Sequence, residues 1–276
     1  MMVKKRVPSL VKWAGGKKQL LEQFESIFPK KIERYFEPFV GGGSVAFYLL
    51  KNRQEIKKAY LSDINNELII TYNVVKNNVE ELIKFLKEHK LNHNKEFYYK
   101  MREKNINELT QIEVAARFIY LNKTCFNGLY RVNSKGLFNV PMGSYKNPEI
   151  CNEQDLREIS QLLQKDDLIN VQFHEAVKDA KKGDFIYFDP PYHPLKKQSF
   201  TTYTKDKFLE KEQEKLAEVF KELDKKGCNV MLSNSDTEFI KNLYKDYDIR
   251  YVKANRMINS DASKRGAINE LVITNY

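Results

Sequence analysis

Asp189-Pro190-Pro191-Tyr192 is the stretch of this chain whose residue types most directly imply chemistry. It follows the apolar run 184–188, which reads as a buried parallel strand ending in a loop. Two consecutive prolines cannot continue a central strand, because neither has an N–H to donate. An acid is therefore delivered to the carboxyl end of a strand, where open α/β sheets bind their ligands. The prolines also fix the backbone and so aim the carbonyl between them. An acid, an oriented carbonyl and an aromatic face suit an exocyclic amine on a nucleobase, whose lone pair is delocalised into the ring. Two acceptors gripping its N–H groups draw the nitrogen toward a tetrahedral, nucleophilic geometry, while Tyr192 stacks on the base. A solvated surface turn could have the same composition, so the assignment needs a second constellation.

That constellation lies upstream. Residues 34–40 read as a strand running into Gly41-Gly42-Gly43-Ser44, followed by the helical stretch 45–50. Strand, glycine turn and helix form the nucleotide-binding entry of a doubly wound sheet, where glycines let backbone approach ligand. A second strand, 59–62, ends in Asp63, roughly 20 residues beyond the glycines, at the spacing of an acid that accepts ribose hydroxyls. The spacing fits NAD as well as any adenosine cofactor. The glycines are contiguous, however, and no Lys-Ser/Thr pair follows them as in a phosphate-binding loop. A glycine bend without phosphate-binding elaboration suits S-adenosylmethionine. Lys12-Trp13-Ala14-Gly15-Gly16-Lys17 precedes a helical stretch, 19–28, and contains the only tryptophan. Two glycines at a helix start beside Lys17 could hold a carboxylate such as the cofactor's methionine tail.

The elements that must position these residues are those of a globular chain. Its 276 residues suffice for one large or two modest domains, and 42% hydrophobic with 30% charged residues are globular values. No apolar run approaches the about 18 residues of a membrane span, and the basic N-terminus lacks a signal-peptide core. Three scattered cysteines (Cys125, Cys151, Cys228) point to a reduced, cytoplasmic protein without disulfides or zinc. The net charge of +10 favours a polyanionic partner, although lysines in stretches such as 205–226 also read as a solvated helix face.

Residues 65–123 are mainly helical in pattern, with apolar stripes that read as core. His89 and His93 have a helical metal-ligand spacing, but no acid or cysteine completes a site and the Asn-rich surroundings read as a loop. Segments 129–132 and 137–140 flank Asn133-Ser-Lys-Gly136 and read as a hairpin with Arg131 near its tip and Asn127 and Asn133 nearby. Such a hairpin has the width and donors to read a major groove. The stretch 193–202 lacks periodicity and reads as a lid, with Lys196 and Lys197 available for phosphates. His193 is not needed as a base, because the amine can lose its proton after it has been methylated. Two further strands are expected at 228–233 and 270–274.

Taken in order, the segments Lys12-Trp-Ala-Gly-Gly-Lys17, Tyr35-Phe-Glu-Pro-Phe-Val-Gly-Gly-Gly-Ser44, Leu61-Ser-Asp-Ile-Asn65, Asn127-Gly-Leu-Tyr-Arg-Val-Asn133, Phe138-Asn-Val-Pro141 and Asp189-Pro-Pro-Tyr192 resemble the D12 class, or α group, of DNA adenine-N6 methyltransferases, the Dam-type enzymes. Met231-Leu-Ser-Asn-Ser235 and Glu270-Leu-Val-Ile-Thr-Asn-Tyr276 extend the match over nearly the whole chain. The resemblance implies an α/β, doubly wound, Rossmann-like methyltransferase sheet with an inserted, mainly helical DNA-recognition domain carrying a β-hairpin. The catalytic part would comprise 1–64 and 151–276, and the recognition part 65–150. It further implies transfer of a methyl group from S-adenosylmethionine to N6 of a flipped adenine in double-stranded DNA, with GATC as the expected site. Trp13, Lys17, Glu37, Phe39, Gly41, Gly43, Asp63 and Asp189 would contact the cofactor. Asp189, Pro190, Pro191 and Tyr192 would perform the chemistry, and Lys12, Asn127, Leu129, Arg131, Asn133, Pro141 and Tyr145 would read DNA. Gln172-Phe173-His174 departs from the pattern of close relatives, so no cofactor contact is assigned there, and Ser144 stands where some relatives carry Arg. A monomer is expected, with a restriction endonuclease of the same specificity as a compatible partner that need not bind stably.

Four other readings compete. A protein-glutamine methyltransferase typically carries Asn in place of the acid at 189, the hairpin argues, more weakly, for DNA over the RNA of an RNA-base methyltransferase, and a nicotinamide oxidoreductase needs a different glycine pattern. A non-catalytic DNA-binding module would need neither Asp189 nor a cofactor pocket.

Overall fold

Alternation of side chains along the strands builds the molecule. In the computed structural model, which describes residues 6–195, 208–255 and 267–276, seven strands form one sheet. They are β1 (Arg34–Glu37), β2 (Lys58–Ser62), β3 (Asp167–Ile169), β4 (Phe185–Phe188), β5 (Asn229–Ser235), β6 (Asp248–Asn255) and β7 (Ala267–Thr274), in the order β3-β2-β1-β4-β5-β7-β6. Strands β1 to β5 pair in parallel, and β7 is inserted antiparallel between β5 and β6. Tyr35, Phe185, Tyr187, Met231 and Val272 enter one core, and Phe36, Ile186, Phe188, Val230, Leu232, Leu271 and Ile273 the other. The period of two therefore covers both faces of the sheet, as a doubly wound fold requires.

The helices are α1 (Leu21–Glu25), α2 (Ser44–Asn52), α3 (Asn66–Asn77), α4 (Val79–Leu91), α5 (Lys95–Glu103), α6 (Gln111–Thr124), α7 (Glu153–Leu162), α8 (Phe173–Ala176), α9 (Glu210–Lys225) and α10 (Glu238–Leu243). Helix α6 starts at a capping box in which Thr110 and Glu113 bond reciprocally to each other's backbone N–H. The helix expected over 19–28 shrinks to α1, because Pro29 disfavours helical geometry at Phe28. The five strands expected from sequence are present, and β3 and β6 join them. A three-residue strand offers no period to detect, and β6 buries only Val252 and Ala254 on its inner side. His89, expected in a loop, lies in α4 with its ring against Phe97 and Tyr120, while His93 Nδ1 is 2.9 Å from the Tyr120 hydroxyl. Helices α3 to α6 share one core with a face of the sheet, so residues 65–150 are not separated from it by a second core. Residues 1–5 and most of the expected lid, including Lys196 and Lys197, lie outside the described residues. Among the described residues, no helix is long and apolar enough to cross a membrane.

Candidate active site

The strand order reverses between β1 and β4, which pair with Tyr35 opposite Phe185. The glycine loop leaves the end of β1, and Asp189 leaves the end of β4. The two constellations are thus neighbours in the crevice where such sheets bind ligands.

Gly41 and Gly43 have φ of 46° and 68°. A Cβ on Gly43 would lie 2.7 Å from the Phe47 ring and 2.9 Å from the Tyr72 hydroxyl, so only glycine fits. A Cβ on Gly41 would lie 2.6 Å from Trp13 Nε1, which shows how closely the indole covers the loop. The Gly41 N–H donates to Asp63 Oδ2 at 3.0 Å and the Asn65 N–H to Oδ1 at 2.9 Å, while Tyr72 donates to the Gly41 carbonyl at 2.8 Å. Burial pushes the Asp63 carboxyl up to about 6 against those backbone N–H groups. The carboxylate keeps lone pairs for further donors. Glu37 is buried beneath the loop, accepts the Tyr35 hydroxyl at 2.7 Å and is pushed up to about 8 by burial. Phe39 stacks on Phe173 at 5.5 Å, which brings the segment left unassigned at 172–174 against this part of the site.

Lys17 lies before α1, within the preceding turn, not at a helix start. Its Nζ is 2.8 Å from Asp189 Oδ1, donates to the Gly15 carbonyl at 2.6 Å and sits 4.8 Å from the Tyr192 ring centre. Burial pushes the Asp189 carboxyl above the usual carboxylate range; Lys17 opposes this and Glu270 adds to it. Pro190 is buried and Pro191 exposed, and the Tyr192 hydroxyl donates to Glu270 Oε2 at 2.8 Å. The His193 ring is held by the Thr237 hydroxyl at 3.1 Å and stacked on Phe239.

The expected hairpin is present as a turn without extended arms. Gly136 N–H donates to Asn133 O, Asn133 N–H to Leu137 O and Asn139 N–H to Arg131 O, yet only the single bridge Val132–Phe138 forms. Two short arms lacking a third strand gain too little to extend further. Asn133 Oδ1 accepts the Lys135 and Leu137 N–H groups and shapes the turn. Arg131 is exposed, with Nε on Asn139 Oδ1 at 2.8 Å, lying beside the turn with donors to spare. At the base, Phe126 N–H bonds Pro141 O, Lys12 Nζ lies 3.8 Å from the Tyr145 ring centre, and Asn127 is the one non-glycine residue with positive φ among those described. Leu129 is half-buried beside them. Lys12, Asn127, Leu129, Arg131, Asn133, Pro141 and Tyr145 therefore share one loop cluster. Tyr130, within it, stacks on Trp13 at 5.8 Å and ties the cluster to the glycine loop.

The D12 class N6 adenine-specific DNA methyltransferase model matches residues 13–258. The chain belongs to that family. This methyltransferase is 47% identical to the Type II methyltransferase M.MjaIII of Methanocaldococcus jannaschii, over 98% of this chain and 99% of that protein. It is 43% identical to the Type II methyltransferase M1.LlaDCHI of Lactococcus lactis subsp. cremoris, covering 96% and 94%. It is 36% identical to a DNA adenine methylase of Haemophilus influenzae, covering 95% and 91%. The methyltransferase acts on adenine in double-stranded DNA with S-adenosylmethionine as methyl donor. A half-buried acid bonded to a tight glycine turn, an indole over that turn and a lysine without a phosphate loop form a donor set that fits this cofactor.

Sequence reading passed over three side chains that the fold brings to the loop after β4, Gln213, Asn234 and Glu270, and over Phe126 in the loop cluster. Gln213 stands on the apolar stripe of α9 with Leu216, Ala217 and Phe220, and a polar residue there is a detectable signal. Asn234 lies in the polar end of an otherwise apolar strand. Phe126 is 51% exposed in the loop cluster around Asn127.

Proposed function

We propose that this methyltransferase flips adenine out of GATC and methylates its N6 at Asp189-Pro190-Pro191-Tyr192. The carrying observation is that Asp189 and the glycine loop leave adjacent strands at the point where the strand order reverses. S-adenosylmethionine supplies the methyl group, and Trp13, Lys17, Glu37, Phe39, Gly41, Gly43, Asp63 and Asp189 form its surroundings. Asp63 accepts the ribose hydroxyls with the lone pairs its loop contacts leave open. Asp189 and the Pro190 carbonyl accept the two N–H groups of the target amine, which localises the nitrogen lone pair. Lys17 balances the Asp189 charge. Tyr192, tethered to Glu270, presents a ring on which the base stacks, a contact worth about 1–3 kcal/mol. Once methylated, the nitrogen is acidic enough to release its proton without a strong base.

Residues 65–150 form the recognition part, with 1–64 and 151–276 as the catalytic part. Flipping costs a few kcal/mol. Phe126 is an exposed aromatic side chain available to fill the gap in the stack. Arg131 reads guanine bidentately, the commonest specific pairing, with Lys12, Asn127, Leu129, Asn133, Pro141 and Tyr145 contributing. A cytoplasmic monomer that shares its site with a restriction endonuclease, without stable binding, agrees with a DNA substrate and with three free cysteines.

The test is methyl transfer from labelled S-adenosylmethionine to duplexes carrying single substitutions in GATC, by wild type and Arg131→Ala. The variant should lose about 1–3 kcal/mol of discrimination at one base pair and retain the chemistry. Equal loss on every duplex would demote Arg131 to a backbone contact, and wild-type indifference to GATC would remove the proposed site.

A further inference from the structure

The loop that carries the proposed amine site is held from behind by two amides with no exposed surface. Gln213 and Asn234 are each 0% exposed. Gln213 Nε2 donates to the Pro191 carbonyl at 2.9 Å, Asn234 Nδ2 donates to Gln213 Oε1 at 3.0 Å, and the His193 N–H donates to Asn234 Oδ1 at 3.0 Å. The Ser235 N–H reaches the same Oδ1 at 2.8 Å, and the Ser235 hydroxyl donates to the His193 carbonyl at 2.6 Å.

Each direction in this chain is forced. A carbonyl can only accept, so Gln213 must turn its NH2 to Pro191 and its oxygen to Asn234. A backbone N–H can only donate, so Asn234 must turn its oxygen to His193 and its NH2 to Gln213. Neither amide can flip without setting two acceptors or two donors against each other in a dry interior, where unpaired polar groups are costly.

The consequence for the loop is selective. The Pro191 carbonyl is occupied, whereas no described group donates to the Pro190 carbonyl. We propose that Gln213 and Asn234 are positioning residues for methyl transfer. Their linked amides hold Pro191 and His193 so that the Pro190 carbonyl, beside Asp189, is the backbone acceptor left for the amine. This assigns a role to the Ser233-Asn234-Ser235 end of β5 and to the polar break in the stripe of α9. It rests on the reading that Asp189 and Pro190 bind the amine.

The experiment is single-turnover methylation of plasmid DNA under saturating cofactor and DNA, by Gln213→Met, Asn234→Asp and their double variant, with Asp189→Ala alongside. Methionine keeps the length of glutamine and removes its polar atoms; aspartate keeps the shape of asparagine and removes its donor. Each single variant should lose roughly 10–100-fold in rate, the scale of a small misplacement of reacting groups. Dissociation constants for cofactor and DNA should stay within about twofold. Because either change breaks the same chain of bonds, the double variant should be no slower than the slower single. A wild-type rate in either folded variant, with Asp189→Ala inactive, overturns the clamp alone, as does a loss confined to the binding constants. Additive losses in the double variant overturn the linkage. If Asp189→Ala keeps its rate, the amine site itself is misassigned and the clamp falls with it.

Discussion

Replacing Glu67 by Gln is expected to cost about 3 kcal/mol of folding stability, through a single buried junction. Glu67 Oε2 is 3.0 Å from Arg117 Nη1, with side chains only 10% and 4% exposed. The same guanidinium donates to the Met101 carbonyl at 2.8 Å and the Arg102 carbonyl at 2.9 Å, and Tyr130 donates to Glu67 Oε1 at 3.2 Å. Glutamine offers one oxygen where two donors converge, so its NH2 must face either Arg117 or Tyr130. Breaking a buried ion pair costs about 3–5 kcal/mol. Arg117 keeps two carbonyl partners, which places the loss near the lower end. That is a large part of the roughly 5–15 kcal/mol available to a folded domain. At roughly 2–4 °C per kcal/mol, Tm should fall by about 6–12 °C. Urea and thermal unfolding at neutral pH measure it. The double variant Glu67→Leu with Arg117→Met should recover most of the loss, because no lone charge is left buried. A loss below about 1 kcal/mol in Glu67→Gln, or a double variant that costs as much as both singles together, would refute the reasoning.

Gly43→Ala should lose about 2 kcal/mol or more, since its φ of 68° is strained for alanine and the new methyl group meets Phe47 and Tyr72. Cofactor affinity should fall with it. Trp13, the only tryptophan, lies over the glycine loop and reports binding by fluorescence; unchanged stability and titration would contradict the packing argument. A pH dependence follows from Glu37, which burial pushes up to about 8 from its ordinary 4.5. Between those values the folded state keeps a proton that the unfolded chain has released. Stability should therefore fall as pH rises through that window, by up to about 1.4 kcal/mol per pH unit. Asp63, pushed up to about 6, adds the same sign at the lower end. Glu37→Gln should flatten the slope between pH 5 and 8; an identical slope in that variant rules out Glu37 as its source.

The placement of the candidate site residues was legible wherever it depends on neighbours in the chain. Prolines ending a strand, contiguous glycines opening a helix and an acid closing the next strand act through backbone geometry within a few residues. Those rules place Asp189, Gly41, Gly43 and Asp63 correctly at the ends of β4, β1 and β2. The apolar alternation that makes Tyr35 and Phe36 face opposite cores is just as local. The residues of the arms about Asn133–Gly136 favour extension, which is why their pattern reads as strands. Whether such arms pair along their length depends on a third strand, which no local pattern announces.

What the sequence by itself determined is the family and the elements that end in Gly41, Asp63 and Asp189. Only the tertiary structure decided that Lys17 pairs with Asp189, that Tyr130 joins the loop around Asn127 to Trp13, and that Gln213 and Asn234 point their amides in one forced direction at the loop after β4. The reason is physical: hydrogen-bond polarity and close packing are properties of groups that meet across the fold, and the periodicity of a chain records which face a residue turns inward but not which partner it meets there.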